Sequence, residues 1–514
     1  MRCLLAGLLL WLAAPGPRGG AAALPTFPDP AAAGTPVWTQ PHDCELQAVS
    51  GGLALRLTGP DPYFSGPAQE FPPGIPLWLE LEIRSESGGQ GQVFWFSRGG
   101  PSEEASTRFA VRAGGWQTVR LPIPPLGPAH RIRLDPPGTS GNCEFRRLRW
   151  KERPLLAEPE WPPPGPLALP ANAPRVRGGA ITLRHAPAAW DSFALEVDGK
   201  PMARSHGRLG WAYLRDGRIR WVTPAPGASR VRTRPGPGRL ECQLEVTDPD
   251  GGRWRWTRRF RPERDGSGLA VETEVTVTAE REVVFLPGLA LLPGAGSFGP
   301  GKTQGLLAGV EYLADEESSS ERDLRGPAAN RLVPARSRRT FPLVAVAAGD
   351  RWLGLTWSAA PDVAVLHDSP DRTWGGGGHA WALLIPGSVP GQREEGRLLP
   401  YHGRTLPPGQ AFRLRATLLG GRGGDVVPAV QAYVARRGLP PLPRLPGTLD
   451  DFFRLTAGAW LDGPIREGSR YRHAVGPGLA AGPAADAALY QRWLAGRLSP
   501  DPQAPRLQAA AAAA

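Results

Sequence analysis

Five carboxylates fall within nine positions: Asp315, Glu316, Glu317, Glu321 and Asp323, with Ser318, Ser319 and Ser320 among them. Arg322 and Arg325 add the opposite charge. Clustered hard oxygens suit calcium, and interleaved acids and guanidinium groups suit sugar hydroxyls. The spacing is not the D-x-D-x-D-G of a calcium loop, so no metal is assigned and no cofactor is expected. A solvated loop with local ion pairs accounts for the same residues. Asp323 and Arg325 are the pair named for substrate contact, or for bracing the helical segment further along. Their stretch, 309–334, is long for a loop inside a β domain, a length that is commonly functional or disordered.

A second group lies in IREGSRYRHA (465–474). Arg466 and Arg472 could contact a carboxylated or hydroxylated glycan, and Glu467 and His473 are candidate acid–base groups. Glycoside hydrolysis needs two carboxylates flanking the scissile bond, and Asp462 is a poor second. An ordinary structural loop also fits. A third group is DRTWGGGGH (371–379), where Trp374 and His379 either line a groove or belong to a hairpin tip. Neither this run nor GPGKTQG (299–305) has the strand, glycine spacing and helix of a phosphate loop. No G-x-S-x-G or H-E-x-x-H occurs.

Short alternating strands must position these groups. LALRL (53–57), LWLELEI (77–83), QVFWFS (92–97), RIRLDP (131–136) and CEFRRLRW (143–150) alternate apolar and polar residues. Turn residues interrupt them at the rhythm of a sandwich. Trp95 and Trp116 either stack on sugars or fill the core, and the alternation favours the core. Asp135 reads as a turn former before Pro136. From 175 to 438 a dozen further antiparallel candidates follow. LRDGRIRWV turns at Asp216-Gly217, and TDPDGGRWRW turns at Asp250-Gly251.

The period changes at Asp425. DVVPAVQAYVARRG reads as a helix. Further helices are expected over 448–463, where Thr448 and Asp451 form a capping-box pattern, over 483–498, and beginning after 500. The divisions are a signal at 1–23, a β-sandwich at 35–153, a Pro-rich linker at 154–174, a large β domain at 175–438, a linker at 439–447 and helices from 448 to 514.

VFWFS and RIRLDP resemble motifs of the jelly-roll modules of secreted carbohydrate-active enzymes. LPGLALLP, GVEYLADEESSS, RWLGLTW and LHDSPDR resemble the galactose-mutarotase-like supersandwich of polysaccharide-active enzymes. The fold class is therefore mainly β: an N-terminal jelly-roll sandwich, a large antiparallel supersandwich and a short C-terminal α-helical segment. None of His185, His206, His367, His379 and His402 sits in a motif that transfers a mutarotase role. Supersandwich followed by helices is the order of glycoside hydrolases with a six-hairpin (α/α)6 toroid; lyases with these domains usually place the toroid first. A full toroid needs more helices than follow residue 447, so the sequence reads as the non-catalytic front part of such a hydrolase. The alternatives are a polysaccharide lyase, hinted at by Asn330, Tyr471 and His473, and a glycan-binding surface protein without catalysis.

Composition bounds the partners. Lys and Arg number 60 against 48 Asp and Glu, a formal charge of +12, yet only Lys151, Lys200 and Lys302 are lysines. The arginines accompany abundant Ala, Gly and Pro and form no basic helix or run, so no nucleic-acid partner is expected. A poly- or oligosaccharide is. Arg2, the apolar Leu4–Ala14 and the small residues Ala21–Ala23 read as an export signal, too short to span a bilayer. This implies a secreted or periplasmic protein without membrane insertion. An oxidising compartment permits a Cys44–Cys143 bridge and leaves Cys242 as a buried apolar residue.

Overall fold

The computed structural model describes residues 23–27, 38–154, 156–187, 189–224, 230–315, 319, 332–358, 363–389, 392–393, 396–439, 446–472, 481–482 and 485–513. Residues 1–22 of the expected signal, and Asp323, Arg325, Asn330 and His473, lie outside the described residues. The chain divides into two compact units, Met1–Arg437 and Gly438–Ala514.

Among the described residues, the first unit begins with a jelly-roll sandwich of two five-stranded antiparallel sheets. One sheet orders Thr39–His42, Tyr63–Ser65, Arg131–Asp135, Gly89–Phe96 and Ser106–Val111 from edge to edge. The other orders Cys44–Val49, Gly52–Leu57, Gly141–Glu152, Leu77–Ser85 and Gln117–Ile123. The two-residue period of a strand turns Leu79, Leu81 and Ile83 inward, against Phe64, Val93, Ile132 and Leu134 of the facing sheet. Glu80 falls on the opposite side of its strand. There it accepts hydrogen bonds from Nε of Arg120 and of Arg149, both at 2.8 Å, and pairs with Lys151 at 2.8 Å.

The bridge that the sequence permitted does not form. Cys44 and Cys143 are both buried and free. The strand Gly52–Leu57 is hydrogen-bonded between theirs. Two strand spacings hold the backbones roughly 10 Å apart, beyond the roughly 7 Å that a disulfide spans. Cys242 is buried as expected, and its Sγ lies 3.4 Å from Nε2 of His185.

Among the described residues, a ten-stranded and a nine-stranded antiparallel sheet form the supersandwich. Ile181, Leu183 and Leu195 from one sheet meet Leu240, Phe260, Leu353 and Leu355 from the other. The strand Arg281–Pro293 is buried almost throughout. Leu289 and Leu291 face this shared core, while Ala290 and Leu292 join a second apolar cluster behind it. Cover on both faces explains why LPGLALLP does not alternate. Pro287 is tolerated there because the ladder shifts register between it and Leu289. Asp216 and Gly217 take φ of 51° and 72°, the two left-handed residues of a type I′ hairpin turn.

The Pro-rich stretch contains no helix or strand among its described residues, yet it is not a free tether. Leu156 and Trp161 pack into the second cluster, and Glu158 accepts the Leu398 N–H at 2.8 Å. The sandwich also touches the supersandwich, where Arg153 lies over the Tyr401 ring at 4.7 Å.

Helix α1 (Val427–Arg437) closes the first unit, with Asp425 accepting the Val427 N–H at its start. Its Ala429, Val430, Ala432 and Tyr433 pack on Trp352 and Leu419. The second unit holds α2 (Leu449–Asp462), α3 (Ala485–Leu498) and α4 (Gln503–Ala513). Thr448 and Asp451 form a reciprocal capping box at the start of α2. Ala457, Leu461, Leu494, Leu498 and Leu507 make the core of this unit. Among the described residues, no helix is long and apolar enough to cross a membrane.

Candidate functional site

The outward face of the first jelly-roll sheet carries a cluster of aromatic and polar groups. Strand period and register bring them together. Phe94 lies opposite Arg133, Phe96 opposite Arg131, and Gln92 opposite Asp135. Ser65 lies opposite Arg133 on the other flank. Phe64, Val93, Ile132 and Leu134 take the inward positions, so their neighbours in sequence must face out.

Arg133 is the centre of this face. Its guanidinium lies 3.6 Å from the Tyr63 ring centroid and 5.0 Å from that of Phe94. Its Nε and Nη2 donate to Oδ1 and Oδ2 of Asp135, each at 2.7 Å. Such a two-pronged bond fixes the guanidinium plane as well as its position. His42 stacks on the other side of Tyr63, with centroids 4.8 Å apart and planes 8° apart. Burial pushes the Asp135 carboxyl above its ordinary value, with Arg133 pulling against it. Beside these groups opens a cleft of about 500 Å³ lined by Gln40, Tyr63, Ser65, Phe96, Arg131 and Arg133. Its volume lies in the range of small-ligand sites. An aromatic surface, hydroxyls, an amide and guanidinium groups can pack on a sugar ring and bond its substituents.

The sequence pointed elsewhere on this domain. Trp95 packs against the sandwich core, as its alternation indicated. Trp116 lies beneath Arg146, 3.8 Å from ring to guanidinium. Asp135 is not merely a turn former: it ends a strand and holds Arg133. The strand Tyr63–Ser65 was missed because three residues show no period. The available signal was RIRLDP itself, whose alternation puts Arg131, Arg133 and Asp135 on one outward face.

The other candidates are dispersed. Trp374 is 3% exposed and meets His206 edge-on at 5.0 Å, so its indole does not line an open groove. The second unit brings Arg466, Glu467 and Arg472 onto one short hairpin. Arg472 donates to Glu467, while Arg466 is spent on the Gly468 and Leu461 carbonyls, both at 2.8 Å. Asp462 accepts from Arg506 at 2.7 Å. Tyr471 is buried against Trp460.

Of the acidic stretch, Asp315 and Ser319 are described. The Lys302 ammonium donates to the Asp315 carbonyl at 2.8 Å. Ser319 is buried and clamps Ser369. Its N–H donates to the Ser369 carbonyl at 2.7 Å, and its hydroxyl accepts the Ser369 N–H at 2.8 Å. Behind the clamp, Ser369 Oγ lies 2.8 Å from His379 Nδ1. His367 is buried nearby, and among the described residues neither of its ring nitrogens has a hydrogen-bond partner. Burial, then the neighbouring His379 and Lys302, push His367 down to about 3. Burial and Lys302 push His379 down to about 4. These are neutral imidazoles at neutral pH, sealed from solvent. Among the described residues, no group of three or more His, Cys, Asp or Glu is placed to hold a metal ion.

No family model matches the chain, and no curated protein matches it. Several solved structures are similar to parts of it. The C-terminal CBM6 of LamC, a marine laminarinase of Zobellia galactanivorans, is 19% identical; the match covers 22% of this chain and 91% of that one, with a TM-score of 0.19. A GalM/aldose epimerase homologue from C. elegans is 10% identical over 49% of this chain and 99% of that one, with a TM-score of 0.29. The ligand-free alpha-N-acetylgalactosaminidase NagBb of Bifidobacterium bifidum is 12% identical over 51% of this chain, with a TM-score of 0.32. This chain spans 39% of that enzyme's length. These are partial likenesses of fold at low scores, and the functional argument rests on the site's own geometry.

Proposed function

We propose that this is an exported, carbohydrate-active protein that binds a poly- or oligosaccharide on the outward face of its jelly-roll sandwich. The observation that carries the reading is the open cleft beside Tyr63 and Arg133, where Asp135 fixes the guanidinium over the Tyr63 ring. A ring can dock there without first ordering its partners, which lowers the cost of binding. The pattern of Arg2, Leu4–Ala14 and Ala21–Ala23 supports export.

A hydrolase role for the whole protein draws its support from the helices that follow the β body. The candidate carboxylates there are already paired, Glu467 with Arg472 and Asp462 with Arg506. Binding is therefore the function proposed for this chain. Affinity electrophoresis of the full chain through a panel of soluble polysaccharides tests it. At least one glycan is expected to retard the wild type. Tyr63→Ala is expected to lose about tenfold or more in affinity, the scale of an aromatic anchor, while Tyr63→Phe keeps most of it. Retardation by no glycan, or undiminished binding by Tyr63→Ala, would sink the reading.

A further inference from the structure

The charges lining the cleft are all of one sign. Arg131 and Arg133 line it, and no carboxylate does. Arg133 has most of its charge answered by Asp135, with Asp61 a further 3.7 Å away. Arg131 differs. It stands two residues along the same strand face, opposite Phe96. Among the described residues its side chain makes no hydrogen bond, ion pair or ring contact. Elsewhere on the sandwich, several outward arginines are paired, Arg56 with Glu45, Arg84 with Glu144, Arg108 with Glu103 and Arg146 with Glu82. A guanidinium left without a carboxylate, at the edge of a cleft that also offers Tyr63, Ser65 and Gln40, has its five donors available to a ligand.

We infer that the cleft selects a sugar ring bearing an anionic substituent, a carboxylate or a sulfate, and that Arg131 is the residue that reads the charge. This rests on the glycan-binding reading above and adds the ligand class to it. The division of labour follows from the geometry. Phe96 gives the ring an apolar surface, and Tyr63, covered on its faces by Arg133 and His42, adds its ring edge. Arg133, held by Asp135, supplies donors at a fixed height above it. Arg131 meets the anion with a planar fork matched to two oxygens. A lysine there would keep the charge but lose the fork.

The test is affinity electrophoresis of the full chain with four probes: polygalacturonate, the same polymer after carboxyl reduction, a sulfated galactan and its desulfated form. Arg131→Gln, Arg131→Lys and Arg232→Gln are compared with the wild type. Arg232 is exposed on the other β domain and controls for the overall charge of +12. The wild type is expected to bind one charged polymer at least about tenfold more tightly than its neutral counterpart, the range of a charge-assisted hydrogen bond. Arg131→Gln should erase that difference, Arg131→Lys should restore part of it, and Arg232→Gln should leave it unchanged. Which charged polymer wins identifies carboxylate or sulfate. Equal binding of charged and neutral forms that still depends on Tyr63 overturns this inference and leaves the glycan-binding reading intact. An equal loss in Arg131→Gln and Arg232→Gln also overturns it, since diffuse charge then explains the preference. Binding to none of the four probes overturns this inference, and binding to no glycan at all overturns both.

Discussion

Arg133 and Arg131 share a strand face and differ in what holds them, and the difference sets what each substitution costs. Asp135 gives both carboxylate oxygens to Arg133, and both side chains are largely removed from water. Removing one partner of such a pair leaves the other desolvated and unanswered, which costs more than the pair contributes. Asp135→Ala is therefore expected to destabilise the jelly roll by about 1–3 kcal/mol. Arg131→Gln removes no intramolecular partner and should stay within about 0.5 kcal/mol of the wild type. Urea unfolding of both variants, followed by tryptophan fluorescence, checks this. If Arg131→Gln proves as destabilising as Asp135→Ala, then Arg131 has a structural role and its binding data lose their meaning.

Elements were legible where one physical rule governed a run of residues. Leu77–Ile83 alternates because a sandwich buries one face, and it forms the strand Leu77–Ser85. Asp216-Gly217 signalled its turn because two left-handed residues are needed there. Thr448 and Asp451 marked the start of α2 by spacing alone. Elements were hidden where long-range pairing decided. The strand Tyr63–Ser65 exists because Thr39–His42 and Arg131–Asp135 flank it. The site's aromatic floor was invisible for the same reason, as was the pairing order that puts the legible strand at 53–57 between Cys44 and Cys143. The acidic run drew attention by composition, although composition says nothing about which carboxylates a fold leaves open. The capping box gives a direct check at this scale. Thr448→Ala removes the acceptor for the Asp451 N–H and should cost about 1 kcal/mol. Thr448→Asp should retain most of that. Thermal unfolding by far-ultraviolet circular dichroism measures both, and an unchanged transition for Thr448→Ala would show that the second unit does not depend on this cap.

The first unit as a whole holds two kinds of ionisable group that respond to acid in different ranges. His367 and His379 are held neutral by burial, at about 3 and about 4 against the ordinary 6.5. The unfolded chain therefore binds protons that the folded chain refuses, and stability falls as pH drops below about 6.5. Going from pH 7 to pH 5 should cost about 2 kcal/mol for each histidine by this linkage. Glu80 acts later. Burial works to raise its carboxyl, but hydrogen bonds from Lys151, Arg120 and Arg149 overcome this and hold it at about 2. Its contribution is complete above the ordinary 4.5 and is lost as pH falls toward 2. Acid sensitivity should thus appear in two ranges, the supersandwich first and the jelly roll afterwards. His367→Phe separates them. Phenylalanine fills a similar volume beside Trp381, its cross-strand neighbour, and cannot take a proton. It should remove about 2 kcal/mol of the loss between pH 7 and pH 5, while the loss below pH 4.5 stays as in the wild type. Glu80→Gln should do the reverse, lowering stability at neutral pH and flattening the curve only below 4.5. Urea midpoints at pH 7, 5 and 3.5 read both effects. A wild-type midpoint that does not change between pH 7 and pH 5 would mean that the two imidazoles titrate in the folded protein much as in the unfolded chain, and that the pocket behind Ser319 is open to water.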